Sequence, residues 1–281
     1  MLALQQNEVE AAEQYAERAV QRRPDLAWAV LALIDLRAKR RAWRQTLEVL
    51  SIAKDHNHIP SKDVKRKRAV LLTALAMELE DSQMDEALSS AVEAVRLAPA
   101  LIPASVVAGR IYASQGRMSA AIKVIRKCWK LAPHPDLAIV SAFARPGDSV
   151  RDRLERIKSL ANTTPGHREA SLAVATAAIE AKDWATARQS LEPLLRGRLS
   201  QKVCTLMARI EAADQADMGQ VREWLSRAIH AVPDPAWVAE GHVADEWAPI
   251  SPISGKLDVF EWRVPPEDEL VSDETLTLKK L

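Results

Sequence analysis

The side chains best suited to chemistry in this sequence are two cysteines and a pair of histidines. Cys128 and Cys204 fall on the apolar sides of predicted helices, without a neighbouring histidine to activate a thiolate. His56 and His58 share one turn, but a metal ion needs further ligands that the nearby sequence does not offer. Gly-rich phosphate loops, His-Glu-x-x-His and Gly-x-Ser-x-Gly are also missing from the sequence. We therefore predict a chain that is not an enzyme, with no catalytic, cofactor-binding or metal-binding residues.

The elements that must position any other site repeat at a fixed period. Small or apolar residues and a closing proline recur after 34 residues, at Ala87, Ala91, Ala94 and Pro99 and then at Ala121, Ile125, Cys128 and Pro133. The helix before the second set carries Gly109, where a partner helix approaches closely, and Tyr112, on which it packs. This frame resembles the tetratricopeptide repeat, a pair of helices that cannot bury its own apolar face.

Further copies of the frame extend over residues 1–233. We predict an all-α chain, a tetratricopeptide-repeat right-handed superhelix (α-solenoid) of about six to seven helix pairs. The fifth pair, over residues 134–165, is degenerate because Pro146 and Gly147 end its first helix early. Residues 1–24 correspond to the second half of a repeat, so we expect Met1 to be an internal start or the edge of a fragment.

A repeat array of this kind is typically a binding scaffold for an extended peptide or a partner's helix. The first helix of each pair lines the concave surface in related arrays. Projection of the period onto this chain places six candidate partner-binding residues there: Arg110, Glu169, Leu172, Thr176, Leu206 and Ile210. The Arg110 guanidinium either clamps a partner carboxylate or forms a salt bridge to a neighbouring helix, and the sequence favours neither.

Composition narrows the partners and the surroundings. The net charge of +1 predicts no attraction to nucleic acid or to a membrane from bulk electrostatics. No apolar run approaches the roughly 18 residues that span a bilayer. The two cysteines are interpreted as reduced packing thiols.

The periodicity stops at Asp234. Residues 234–266 are rich in tryptophan and proline, and we predict an irregular segment that lays Trp237, Trp247 and Trp262 on the last repeat. We call these three residues the clasp tryptophans. Burial of three indoles, at roughly 25 cal/mol per Å², contributes a few kcal/mol to ordering this segment. Residues 267–281 are polar and are expected to be a disordered tail.

The C-terminal segment resembles one particular family of repeat proteins. Trp247-Ala248-Pro249 and Phe260-Glu261-Trp262 are similar to the C-terminal region of the HemY family, whose tetratricopeptide proteins are associated with haem biosynthesis in proteobacteria. The resemblance implies an inner-membrane scaffold for haem-biosynthetic enzymes at a late step, anchored by N-terminal membrane helices, with its repeats on the cytoplasmic side. The sequence from Met1 onward shows no such anchor, and we expect truncation to account for the difference.

Two other functions stay open. One is a soluble peptide-binding adaptor or chaperone-like protein without any connection to haem. The other is a haem-pathway catalyst, which no constellation of residues supports. The family implies no oxidase activity, and the Gly-rich dinucleotide fingerprint of a flavin oxidase is missing.

Some members of the family carry a segment in this region that resembles a rubredoxin-like knuckle, a metal-binding turn flanked by two Cys-x-x-Cys pairs. The corresponding positions here are Ala239 and His242, then Ser251 and Ser254. One imidazole and two hydroxyls make a poor zinc site. We therefore predict a metal-free knuckle, in which the clasp tryptophans replace the ion.

Overall fold

The computed structural model describes residues 2–214 and 218–266, with side chains from residue 8 onward. In these ranges the chain forms thirteen α-helices and three short strands. The helices are α1 (Leu2–Arg22), α2 (Ala27–Lys39), α3 (Trp43–Asp55), α4 (Ser61–Leu79), α5 (Met84–Leu97), α6 (Ile102–Ser114), α7 (Met118–Trp129), α8 (Pro135–Ala142), α9 (Val150–Ala161), α10 (Arg168–Glu180), α11 (Trp184–Leu195), α12 (Gln201–Asp214) and α13 (Met218–Ile229). The strands are β1 (Ala236–Ala239), β2 (His242–Ala244) and β3 (Glu261–Arg263).

The chain divides into two compact units. The first contains residues 1–107 together with residues 237–263, and the second contains residues 108–236 and 264–266. In the first unit α1 packs on α2, α2 on α3, α3 on α4 and α4 on α5. In the second unit each helix from α7 to α12 packs on the helix that follows it in sequence. Neighbour-to-neighbour packing is how repeat proteins bury their apolar faces.

The helix boundaries confirm the predicted all-α repeat architecture. Helices α2 to α13 fall into consecutive pairs, and α1 precedes them as the half repeat that the sequence indicates. The degenerate fifth pair is also present. Its first helix, α8, ends at Ala142, and its second, α9, begins with a capping box in which Ser149 and Asp152 bond each other's backbone amides.

Small residues stand where helices meet. In α5 the side chains of Ala87, Ala91 and Ala94 are fully buried, as are Ala121 and Cys128 in α7. Helices that approach closely leave room for little more than a methyl group at the contact.

Gly109 marks the closest approach. A Cβ atom placed there would lie 2.9 Å from both Ile125 Cδ1 and Val140 Cγ1, which is too close for carbon atoms in contact. The absence of a side chain at this position therefore allows the backbone at Gly109 to approach Ile125 of α7 and Val140 of α8.

The C-terminal segment differs from its prediction as an irregular stretch. Strands β1, β2 and β3 form one sheet in the order β2-β1-β3, and β1 pairs with β2 in antiparallel fashion. Glu240 and Gly241, both with positive φ, make the tight turn of this hairpin. Short strands of three or four residues carry too little alternation to be visible in the sequence. The predicted tail over residues 267–281 lies outside the described residues.

No helix in the described part of the chain is both long enough and apolar enough to cross a bilayer.

We predict that Gly109→Leu destabilises the second unit by about 2 kcal/mol, because the new side chain overpacks the contact with Ile125 and Val140. Chemical denaturation followed by circular dichroism measures the change. Gly197→Leu is the matched control, since no atom lies within 4 Å of a Cβ there. Equal stability of the two variants would show that Gly109 is not a packing position.

Candidate functional site

A groove in the second unit is the best-formed candidate for binding a partner. It lies along α8, α10 and α12, the first helices of three successive pairs, and α10 contacts both of the others. The groove has a volume of about 410 Å³. Its lining residues are Pro135, Ala138, Ile139, Ala142, Phe143, Ile157, Glu169, Leu172, Ala173, Thr176, Ala177, Glu180, Gln201, Lys202, Thr205, Leu206, Arg209 and Asp234.

One wall of the α8–α10–α12 groove is apolar and open. Ile139 in α8 is 57% exposed, and Phe143, the residue after the end of α8, is 53% exposed. The Arg153 guanidinium lies over the Phe143 ring, 4.4 Å from its centroid, and orients it by a cation–π contact. Small residues such as Ala142 and Ala173 line the groove beside them. The result is a concave apolar surface with side chains available to a partner.

One end of the groove is fixed by a network of charges. Arg168 donates to the Glu169 carboxylate at 2.9 Å, to Ser200 Oγ at 2.8 Å and to the Asp234 carboxylate. Asp234 also accepts from the Lys202 backbone amide at 2.6 Å, at the N-terminus of α12, where a negative charge is favoured. These bonds connect α10, α12 and the chain after α13. They hold the two helices at a defined separation.

The part of the groove formed by α10 and α12 carries charged side chains. Glu180 and Arg209 are exposed, and Lys202 is partly exposed. Within the described residues, the side chains of these three form no ion pair with one another or with the Arg168 network. The groove therefore presents an apolar wall on α8 and charges of both signs on α10 and α12.

The structure brings together four of the six residues that the sequence selected. Glu169, Leu172, Thr176 and Leu206 all line the groove. Ile210 does not line the groove, and its side chain is fully buried in the core. Leu172 is also almost fully buried, but it borders the groove floor. Helical periodicity gives the direction of a side chain only to within a turn, which is too coarse to separate a core position from a neighbouring groove position.

Arg110 is exposed on α6, but it is not among the residues that line the groove. Ile139, Phe143, Lys202 and Arg209 line it and were missed. Their signal in the sequence was present but weak, since Ile139 and Phe143 are apolar residues spaced i and i+4 on a helix.

A buried histidine lies at the start of α8, beside the groove. His134 is 1% exposed, and its Nδ1 accepts the Asp136 backbone amide at 3.2 Å as the N-cap of α8. Burial, with a contribution from the Lys202 ammonium, lowers the pKa of His134 from 6.5 to about 4. The cap therefore requires a neutral imidazole.

The cysteines lie where packing thiols are expected. Cys128 and Cys204 are both fully buried, and no disulfide joins them. Burial raises the pKa of Cys204, which disfavours the thiolate that a nucleophile requires. In the described ranges no three His, Cys, Asp or Glu side chains cluster as metal ligands.

The clasp tryptophans lie in the first unit, and their packing on the last repeat stays a prediction. They line a cavity of about 260 Å³ together with Phe260, Glu261, Arg66 and residues 100–102. Trp237 and Trp262 meet edge to face, with ring centroids 5.4 Å apart. Trp237 and Trp247 are buried, and Trp262 is partly exposed.

Two further contacts join the C-terminal segment to the helices of the first unit. Arg66 donates two hydrogen bonds to the Asp258 carboxylate, at 2.7 and 2.8 Å. Gly255 lies so close to Lys39 that a Cβ on Gly255 would be 2.6 Å from Lys39 Cε. Arg66 therefore has a specific partner 192 residues away in sequence.

The two turns at the predicted knuckle positions are joined by a carboxylate. Glu240, in the first turn, accepts from Ser251 Oγ at 2.5 Å, and bonds to Ser251 and Ser254 lower the pKa of Glu240. Ser251 is buried, and its Oγ accepts the backbone amides of Ile253 at 3.1 Å and Ser254 at 3.2 Å. The tryptophans thus pack against the helices, while Glu240 and Ser251 connect the turns. The absence of zinc stays a prediction.

Comparison with known proteins agrees with the repeat architecture. Residues 102–135 match the family model for the tetratricopeptide repeat. No curated protein matches the chain.

Two solved structures are similar over most of the chain. A tetratricopeptide repeat protein from Parabacteroides merdae is 14% identical, with 80% of this chain and 94% of that chain covered and a TM-score of 0.38. The TPR domain of P58(IPK) is 15% identical, with coverage of 81% and 85% and a TM-score of 0.22. The thirteen helices and the matched repeat define the class: the described chain has the fold of a tetratricopeptide-repeat protein.

We predict that acidification weakens the second unit through His134. The folded pKa lies below the unfolded one, so the unfolded chain binds the extra proton between pH 6.5 and about 4 and stability falls across that window. Between pH 7.5 and pH 5 the loss is about 2 kcal/mol. Denaturation at both pH values, for the wild-type chain and for His134→Asn, measures it. His134→Asn should reduce this pH dependence, whereas the exposed control His230→Asn should retain it; identical pH dependence in all three would contradict the assignment.

We predict that Ser251→Ala loosens the C-terminal turn at a cost of about 1–3 kcal/mol, because two backbone amides lose their acceptor. Amide hydrogen exchange at residues 249–258 measures the loosening, and tryptophan fluorescence reports on the adjacent indoles. The exposed helical Ser51→Ala serves as the control and should change stability by less than about 0.5 kcal/mol. Unchanged exchange in Ser251→Ala would remove the hydroxyl from its role.

Proposed function

We propose that the protein is a non-catalytic scaffold that holds a segment of another protein in the α8–α10–α12 groove. The observation that carries this proposal is the pair of half-exposed apolar side chains, Ile139 and Phe143, on the wall of a concave surface. Exposed apolar residues in a formed groove mark binding sites for proteins more often than isolated surface residues do.

The chemistry of the walls defines the partner segment. An amphipathic helix or peptide fits best, with its apolar side on Ile139 and Phe143 and its polar side facing Glu180, Lys202 and Arg209. The Arg168 network keeps α10 and α12 in place, so little ordering is needed when the partner binds. A preorganised groove of this kind suits the binding of a partner segment.

We further propose that the partner belongs to late haem biosynthesis. The support is the resemblance of the C-terminal segment to the HemY family, in particular Trp247-Ala248-Pro249 and Phe260-Glu261-Trp262. In this proposal the scaffold works at the inner membrane, with its repeats on the cytoplasmic side. The alternative is an adaptor that binds peptides without any connection to haem, and it would use the same groove.

We predict that Ala173→Trp, which fills the groove from its partly exposed floor, lowers partner affinity at least about tenfold because the indole occupies the partner's space. The probes are the late haem-pathway enzymes of the same organism, purified one by one, and calorimetry measures their binding to the full chain. Ala185→Trp, on the exposed side of α11, is the matched control and should bind normally.

Two negative results have different meanings. If none of the purified enzymes binds the wild-type chain, the haem assignment fails, and a displayed library of amphipathic peptides then tests the groove alone. If a ligand binds equally to the wild-type chain and Ala173→Trp, the groove is not the binding site. In that case Arg110→Ala tests the exposed α6 surface that the sequence selected.

A further inference from the structure

A second surface of the second unit has a chemistry unlike that of the groove. One side of α7 and the two residues after its end form a surface that we call the α7 stripe. Its members are Ser119, Ile122, Lys123, Arg126, Lys127, Lys130 and Leu131. These residues recur every three or four positions, so they share one helical face. None of them lines the groove.

The sequence around α7 carries positive charges without acidic residues between them. The sequence contains no aspartate or glutamate between Glu93 and Asp136, although the whole chain has a net charge of only +1. The cations of the stripe, Lys123, Arg126, Lys127 and Lys130, are all exposed. An average over the chain therefore conceals a local positive surface.

The helix that carries the stripe is firmly seated. Its other side buries Ala121, Ile125, Cys128 and Trp129, and the Trp129 indole N–H donates to Thr164 Oγ1 at 2.7 Å. The α7 stripe is therefore not an accidental exposure of a loose helix.

Neighbouring side chains leave the positive charge in place. Arg126 donates to Ser159 Oγ on α9 at 3.3 Å, a neutral partner. Glu155, also on α9, already pairs with Lys158 at 3.0 Å. The contacts on this side of α9 are thus neutral or internally balanced.

The stripe also contains apolar surface among its cations. It encloses a shallow depression of about 660 Å³, to which Ile122 and Leu131 contribute, and Leu131 is 59% exposed beyond the end of α7. Lysine stems can lie along such a surface while their ammonium groups reach outward. This combination suits a partner with anionic groups above an apolar layer.

We propose that the α7 stripe binds the surface of an anionic phospholipid bilayer. Lysine clusters on an amphipathic helix bind acidic headgroups as point charges, and an exposed leucine inserts among the upper acyl groups. Three of the four cations are lysines, which lack the two-pronged geometry with which arginine selects a protein carboxylate or a base edge. The stripe also has no aromatic or amide side chain that would stack on or read a nucleotide. The groove remains free for a partner in this arrangement.

Vesicle sedimentation of the full chain tests the proposal. The probes are vesicles of phosphatidylcholine alone and vesicles containing about one third phosphatidylglycerol, at low and at high salt. We expect binding only to the anionic vesicles and release by salt. Lys123→Glu/Lys127→Glu should lower the partition coefficient at least about tenfold. Lys54→Glu/Lys62→Glu, two exposed lysines of the first unit, changes the net charge equally and should bind as the wild-type chain does.

Further variants separate charge from folding and from apolar contact. Lys123→Ala/Lys127→Ala keeps good helix formers in α7 and should also weaken binding, with an unchanged circular dichroism spectrum. Leu131→Gln should weaken binding without altering its salt dependence. Absence of binding to anionic vesicles, equal loss in the control pair, or binding to an oligonucleotide in place of vesicles would each overturn the proposal.

Discussion

Burial of the apolar face of each helix pair against the next pair is the constraint on which the structure depends. A single pair has too little interior to bury its own apolar residues, so it is stable only with neighbours. Close stacking in turn requires small side chains at the contacts, as Ala87, Ala91 and Ala121 show by their complete burial. Gly109 is the extreme case, because two core side chains already occupy the space that a Cβ would need. A few small residues therefore determine how closely the helices pack.

This constraint explains why the helices could be predicted from the sequence. The contacts of a repeat are local, within a pair or between consecutive pairs, so the residues that make them recur at a fixed spacing. The first helices α6, α8, α10 and α12 begin at residues 102, 135, 168 and 201, close to that spacing, and even the early end of α8 is visible in Pro146 and Gly147. Four of the candidate groove residues meet for the same reason, since first helices of successive pairs are neighbours. Ile210 shows where the argument loses precision, because its side chain points into the core.

The C-terminal segment could not be predicted in the same way because its contacts are not local. Arg66 and Asp258 are separated by 192 residues, and no periodicity relates them. The link from Glu240 to Ser251 depends on the geometry of two turns, which the sequence shows only as ordinary polar residues. Tryptophans indicate that a segment packs on something, but an indole carries no information about which helix it meets. The short strands add too few residues to produce an alternating pattern.

Local stacking also separates the folding of the second unit from its surfaces. The residues that hold α7 in place, such as Ile125 and Trp129, are distinct from the lysines on its exposed side, and the open wall formed by Ile139 and Phe143 is distinct from the buried Leu137 of the same helix. Substitutions at the exposed positions can therefore change binding while the fold persists. The C-terminal segment behaves differently, since Trp237 and Trp247 both form its core and line its cavity. A change there alters packing and surface together, so functional evidence from mutation is cleanest in the repeats.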